Sequence, residues 1–179
     1  MRRAVFLDRD GTITEEGDWA AKTDPPRLIP GAVEALARIQ AAGFELFVVT
    51  NQSGVARGYY TEADVETFHQ RMRKIFAEAG VRFAEIAYCP HMPDSGCACR
   101  KPDTGFLADA AERYGIDLAR SFVVGDQSTD IEMGLRNGCR TLLVRTGFGG
   151  HVGKAGPKPD FVVDNIVEAA DRILQGSED

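Results

Sequence analysis

Short apolar runs alternate with longer amphipathic stretches along this chain. Residues 4–8, 44–50, 85–88, 122–126, 141–145 and 161–163 are rich in β-branched and aromatic side chains and read as strands. Several are apolar at successive positions, as strands covered on both faces must be. Residues 32–42, 62–79, 105–114, 129–137 and 166–174 carry helical periodicity instead. The second of these is the clearest, because Val65, Phe68, Met72, Ile75, Phe76 and Ala79 fall on one stripe. Thr61 and Asp64 form a capping-box signature at its start. Gly43, Gly80, Gly115 and Gly138 each follow a helical stretch, where a left-handed residue ends a helix.

Alternating strands and helices predict an α/β fold with a doubly wound parallel sheet of the Rossmann-like kind. Ligands in such sheets bind at the carboxyl ends of the strands. Asp8, Thr50 and Asp126 each end a predicted strand, so they are expected along one rim. Residues 14–30, 53–60 and 90–100 break the alternation and read as loops over that rim. Residues 146–159 hold five glycines and two prolines and read as a mobile connection. No internal repeat or long linker is visible, so a single domain over residues 1–179 is expected, with loop insertions but no separate cap domain.

Composition narrows the function classes. Of the 179 residues 44% are hydrophobic and 27% charged, enough for a sizeable core. The net charge of -6 argues against broad electrostatic binding of nucleic acid or an anionic membrane. A small anionic substrate stays open, since a few local cations can hold a phosphate. The start has two arginines, but its apolar run is too short for a signal peptide and ends in Asp8. No stretch approaches a membrane span. The expectation is a soluble, cytoplasmic protein, with a monomer favoured.

Four constellations carry candidate chemistry. Asp8 and Asp10 stand two residues apart at a strand end, and Gly11 permits a turn that brings both to a cleft. One carboxylate can act as nucleophile and the other as general acid and base. An isolated Asp-x-Asp is more often a solvated turn, but here it follows an apolar strand and precedes Gly-Thr. Thr50 and Asn51 offer a hydroxyl and exposed amides to a phosphate at the next strand end. Arg100 and Lys101 can neutralise a transferring phosphoryl group. Asp126, with Asp130 four residues on, can hold a hard cation such as Mg²⁺. Taken singly, these three are also consistent with a strand cap, a solvated basic pair and an acidic first helical turn.

In this order, Asp-x-Asp-Gly-Thr, Thr, Lys and Gly-Asp-x-x-x-Asp, the motifs resemble those of the haloacid dehalogenase superfamily over nearly the whole chain. The resemblance implies an aspartyl-phosphate at Asp8, general acid/base work by Asp10, and phosphate binding by Thr50 and Lys101. It further implies Mg²⁺ held by the Asp8 carboxylate, the Asp10 main-chain oxygen and Asp126, with Asp130 behind them. Asp10 favours phosphoryl transfer over dehalogenation.

Three of the four cysteines lie within eleven residues. Cys89, His91, Cys97 and Cys99 supply three thiolates and an imidazole on a loop rich in Pro and Gly, at residues 89–99. With no secretion signal, that spacing points to a tetrahedral structural Zn²⁺ with no position open for substrate. The alternative is a reduced cysteine-rich loop. Cys139 reads as a core thiol, and His69 and His151 as non-catalytic.

The segments Asp-Arg-Asp-Gly-Thr-Ile, Val-Val-Thr-Asn-Gln-Ser-Gly-Val-Ala-Arg-Gly, Cys-Pro-His and Cys-x-Cys-Arg-Lys-Pro are similar to the heptose 1,7-bisphosphate phosphatase family. That likeness implies loss of the C7 phosphate, with Arg100 a substrate-binding arginine and Arg57 and the loop at residues 14–30, including Trp19 and Lys22, weaker candidates. Gln127 stands where relatives often place Lys, and the zinc loop is short. Histidinol-phosphate phosphatases share the zinc loop, and DNA 3′-phosphatases share Thr-Asn-Gln and Arg-Lys-Pro. A catalytically silent, zinc-stabilised binding protein is the reading from a different class.

Overall fold

A computed structural model describes residues 1–16, 25–102, 105–151 and 156–176. Trp19 and Lys22 lie outside them. The described residues form one six-stranded sheet, with strands β1 (Arg3–Leu7), β2 (Phe44–Asn51), β3 (Phe83–Cys89), β4 (Phe122–Gly125), β5 (Arg140–Val144) and β6 (Phe161–Val163). The order across the sheet is β3-β2-β1-β4-β5-β6, and every neighbouring pair is parallel. Helices α1 (Ala32–Ala41), α2 (Glu62–Glu78), α3 (Gly105–Tyr114), α4 (Ser128–Arg136) and α5 (Ile166–Gln175) connect them.

Alternation along the strands divides the core in two. Val5, Leu7, Leu46 and Val48 point to one face, where they meet Leu36 and Ile39 of α1, Phe68, Met72 and Phe76 of α2, and Ile166 and Ile173 of α5. Ala4, Phe6, Phe47 and Val49 point to the other, against Leu107 and Ala110 of α3 and Met133 of α4. Both faces are thus covered, the condition under which an all-parallel sheet is stable.

The predicted elements return with their boundaries shifted by at most two residues. β3 begins at Phe83 because a bulge opposite Leu46 and Phe47 lets it pair further down β2. The capping box on α2 is present: Asp64 N–H donates to Thr61 Oγ1 at 3.2 Å, and Thr61 N–H to Asp64 Oδ2 at 2.7 Å. One expectation is corrected. Residues 146–148, placed by sequence in a mobile connection, are tied into the molecule by two hydrogen bonds. Thr146 Oγ1 donates to Gly11 O at 2.6 Å, and Phe148 N–H to Asp126 Oδ2 at 2.8 Å. The glycines there serve close approach.

The strand order reverses direction between β1 and β4, which opens a crevice at their carboxyl ends. Asp8 and Asp126 each stand one residue past those strands, and Thr50 and Asn51 close β2 beside them.

Phe47 anchors the second face. It is fully buried, stacks on Phe6 at 5.0 Å and meets the ring of Tyr114 edge-on at 5.2 Å. Phe47→Ala should lower stability by about 3–5 kcal/mol, read as a lower urea midpoint at unchanged slope.

Candidate active site

Asp8 follows a strand that is buried from Ala4 onward, and its backbone still pairs with the neighbour, Asp8 N–H donating to Val124 O at 2.9 Å. Its carboxylate is therefore fixed at the mouth of the crevice. Lys101 reaches it from the far end of the cysteine-rich loop. Lys101 Nζ lies 2.7 Å from Asp8 Oδ1 and 2.7 Å from Asp130 Oδ1, and donates to Val49 O at 2.8 Å. The ammonium thus has three oxygens around it. Burial would push the Lys101 ammonium toward neutrality, but the Asp130 and Asp8 carboxylates overcome it and hold the group charged, above its ordinary range.

Asn51 accounts for the position of Lys101. Its Oδ1 accepts from Lys101 N–H at 3.1 Å, and its Nδ2 donates to Lys101 O at 3.4 Å. Asn51 lines the pocket as expected of a phosphate ligand. Its carboxamide is engaged with the Lys101 backbone. Thr50 Oγ1 accepts from Gln52 Nε2 at 2.9 Å, which leaves its hydroxyl proton to donate.

Three carboxylates crowd the other side. One oxygen each from Asp8, Asp126 and Asp130 lie within 4.8 Å of one another, all on buried residues. Asp126 Oδ1 is buried without a hydrogen-bond partner. Burial, then repulsion from Asp8, drives the Asp126 carboxyl up to about 8. Burial and Asp8 likewise raise Asp130, to about 6, against the pull of Lys101. An unsatisfied carboxylate oxygen facing two more carboxylates suits a hard divalent cation. The backbone allows this crowding because Gly11, at φ 78°, and Gly147 both abut the Asp126 carboxylate, and a methyl group on either would collide with it. Asp130 also caps α4, its Oδ2 accepting from Gln127 N–H at 3.0 Å.

Asp10 takes up a different environment. Its Oδ1 accepts from Arg9 Nε at 3.0 Å and Thr14 Oγ1 at 3.2 Å, and its Oδ2 from Arg9 Nη2 at 2.8 Å and Gln52 Nε2 at 2.8 Å. Burial would raise its pKa, but the Arg9 charge and these bonds outweigh it and hold the carboxyl below its ordinary value.

Asp8, Asp10, Thr50, Asn51 and Lys101, together with Glu16, Gln127 and Thr129, line a cavity of about 90 Å³. A wider cavity of about 380 Å³ adjoins it through Lys101 and Thr129, and is lined by Arg100, Arg136 and the loop residues Pro93–Cys97 other than Asp94. Arg57 is exposed and lines neither cavity. Glu16 comes from the loop at residues 14–30, whereas sequence reasoning missed Thr129, Arg136 and the Arg9–Gln52 shell of Asp10. Only Gln52 carried a signal, its place in the Thr-Asn-Gln run.

The second cluster is complete. Cys89 Sγ lies 3.5 Å from His91 Nδ1, 3.5 Å from Cys97 Sγ and 2.9 Å from Cys99 Sγ. Cys99 Sγ lies 3.2 Å from His91 Nδ1 and 3.6 Å from Cys97 Sγ. A tetrahedral zinc with Zn–S of about 2.3 Å has donor-to-donor edges of roughly 3.8 Å, so the four atoms stand slightly closer than the ion would hold them. No disulfide joins them. Burial and the neighbouring thiols push the Cys99 thiol up to about 12, whereas a hydrogen bond with Ser95 brings Cys97 down to about 6. Cys139, by contrast, is a buried core thiol apart from the cluster.

Comparison with known proteins agrees with this geometry. A family model described as HAD-hydrolase-like (haloacid dehalogenase) matches residues 98–169. A relative from Pseudomonas aeruginosa, D-glycero-beta-D-manno-heptose-1,7-bisphosphate 7-phosphatase, is 43% identical over 176 residues, covering 97% of this chain and 99% of its own. The chain belongs to this phosphatase family of the haloacid dehalogenase superfamily. Another member of the family, from Photorhabdus laumondii, is named for the alpha anomer and is 37% identical, covering 81% of this chain and 84% of its own. The crystal structure of the B. bronchiseptica D,D-heptose 1.7-bisphosphate phosphatase, complexed with magnesium and phosphate, superposes with a TM-score of 0.89 at 36% identity. It covers 97% of this phosphatase and 99% of that chain.

The raised Asp126 has a thermodynamic signature. The folded protein holds that proton more tightly than the unfolded chain, whose value is near 3.8. Its contribution to stability is full below about pH 4 and is lost as pH rises through about 8. The melting temperature of cation-free protein should therefore decline from about pH 6 to about pH 8, and Asp126→Asn should flatten that decline. Excess Mg²⁺ should raise the melting temperature more at the higher pH, where the carboxylate is already ionised.

Proposed function

We propose that this phosphatase removes the C7 phosphate of D-glycero-D-manno-heptose 1,7-bisphosphate, with Mg²⁺ as its catalytic ion, a structural Zn²⁺, and an aspartyl-phosphate at Asp8. The reading is carried by the convergence of Asp8, Lys101, Asp126 and Asp130 in one buried cluster, beside the small cavity that Asp8 and Lys101 line. Three carboxylates against one ammonium leave that cluster anionic, which would repel a phosphate. A divalent cation held by Asp8, Asp126 and the Asp10 main-chain oxygen would cancel that charge and supply Lewis-acid stabilisation to the phosphoryl oxygens.

The chain's own groups then have separable roles. The cavity of about 90 Å³ takes the phosphoryl group, with the Thr50 hydroxyl and Lys101 Nζ donating to its oxygens. The free oxygen of Asp8 attacks phosphorus as the bond to the C7 oxygen breaks, and Asp10 protonates that leaving oxygen. Asp10 then takes a proton from the water that hydrolyses the aspartyl-phosphate. Asp130 keeps Lys101 charged and aimed. The adjoining cavity of about 380 Å³ holds the sugar, where Arg100 and Arg136 can meet the second phosphate.

The zinc loop acts on the same cation pair. Arg100 Nη1 donates to His91 O at 3.0 Å, so a ligand of the metal also orients the arginine. Cys99, a ligand itself, immediately precedes Arg100 and Lys101. Four protein donors leave no open coordination position, which makes the ion structural.

Asp8→Asn should abolish Mg²⁺-dependent phosphate release, by about a thousandfold or more, without unfolding the protein. Among both heptose bisphosphate anomers, histidinol phosphate and a 3′-phosphorylated oligonucleotide, a heptose bisphosphate should show the highest kcat/KM. A preference for either of the other two would replace the substrate assignment. Stripping zinc with a thiol-selective reagent, then assaying in excess Mg²⁺, should lower activity while far-UV circular dichroism keeps the sheet signal. Full activity in zinc-free, folded protein would remove the loop's positioning role.

A further inference from the structure

Arg9 is the largest fully buried side chain among the described residues, with 1% of its surface exposed, and the reaction above makes no direct use of it. A guanidinium is costly to bury unless its N–H groups are matched with acceptors. Here they are matched in one direction. Nε and Nη2 fork onto the two oxygens of Asp10 at 3.0 and 2.8 Å. The back of the group rests on α2. Nη1 lies 3.0 Å from His69 Nε2, and Cζ stands 4.5 Å from the centroid of the Phe68 ring.

Arginine has no acceptor, so His69 Nε2 must accept and the imidazole is neutral, with its proton on Nδ1. His69 is itself buried, its ring edge-on to Tyr88 at 5.7 Å. It is therefore a fixed acceptor on a helix whose start is locked by the Thr61–Asp64 capping box. A planar fork has its plane set by its third corner, and His69 holds that corner. We propose that His69 is a positioning residue for the general acid: it fixes the Arg9 guanidinium, which sets where the Asp10 carboxylate lies relative to the leaving oxygen. The proposal rests on the acid role given to Asp10 above.

Leaving-group dependence tests it. A sugar phosphate needs its leaving oxygen protonated, whereas 4-nitrophenyl phosphate releases a stable phenolate and does not. The ratio kcat/KM reports the steps through departure of the leaving group, so later hydrolysis of the aspartyl-phosphate does not enter. Asp10→Asn sets the benchmark, a large loss on the sugar phosphate and a small one on the aryl phosphate. His69→Phe should reproduce that split in weaker form, roughly tenfold on the sugar phosphate and under about threefold on the aryl phosphate. His69→Gln, whose amide oxygen can accept from Arg9, should restore most of the sugar phosphate activity. Equal losses on both substrates, or none, in His69→Phe of unchanged melting temperature would overturn the assignment. If that variant does not fold, Arg9→Lys, which keeps the charge and loses the fork, must show the same split or the proposal fails. An Asp10→Asn enzyme with no discrimination between substrates would instead remove the acid role itself, and the His69 role with it.

Discussion

The rest of the site depends on one buried ammonium. Lys101 bridges Asp8 and Asp130 at 2.7 Å each, where water cannot screen the charges. Without it, three carboxylates would share a space less than 5 Å across. With it, one of the three negative charges is offset, and Asp126, whose Oδ1 has no hydrogen-bond partner, is the member still seeking a cation. Removing one partner of such an arrangement leaves an uncompensated buried charge, which is more damaging than never having built the pair.

Each structural device near the site serves that balance. The Asn51 carboxamide grips the Lys101 backbone on both sides of the residue, and Val49 O accepts from the ammonium. The cysteine-rich loop delivers the lysine to this position directly, without a helix between. Two glycines from distant segments, Gly11 and Gly147, make room for Asp126. Asp10 is kept apart from this balance by its own cation, Arg9, which holds its carboxyl down while burial and Asp8 raise that of Asp126. Different environments for paired carboxylates are how one site supports both nucleophile and acid/base chemistry.

Much of this was legible in the chain itself. Strands and helices follow from local periodicity, and the capping residues and terminal glycines mark their ends by short-range sterics and hydrogen bonding. The placement of Asp8, Thr50 and Asp126 on one rim follows because parallel strands present their carboxyl ends together. The cluster of Cys89, His91, Cys97 and Cys99 was readable because all four lie within eleven residues, so chain connectivity alone keeps them close.

What tertiary structure decided are the contacts whose partners are remote in sequence. His69 is 60 residues from Arg9, Gln52 is 42 from Asp10, and Lys101 is 50 from Asn51. None has a periodic or spacing signature, and each forms only once β2 lies beside β1 and α2 covers that face. His69 read as an ordinary helical residue, and residues 146–148 as part of a flexible connection, because their partners Arg9, Gly11 and Asp126 are brought to them by the sheet. Sequence determined which residues carry the chemistry, since that is a matter of side-chain type at strand ends. Packing determined which of them are charged, where they point and what holds them, since those depend on burial and on neighbours that only the folded chain supplies.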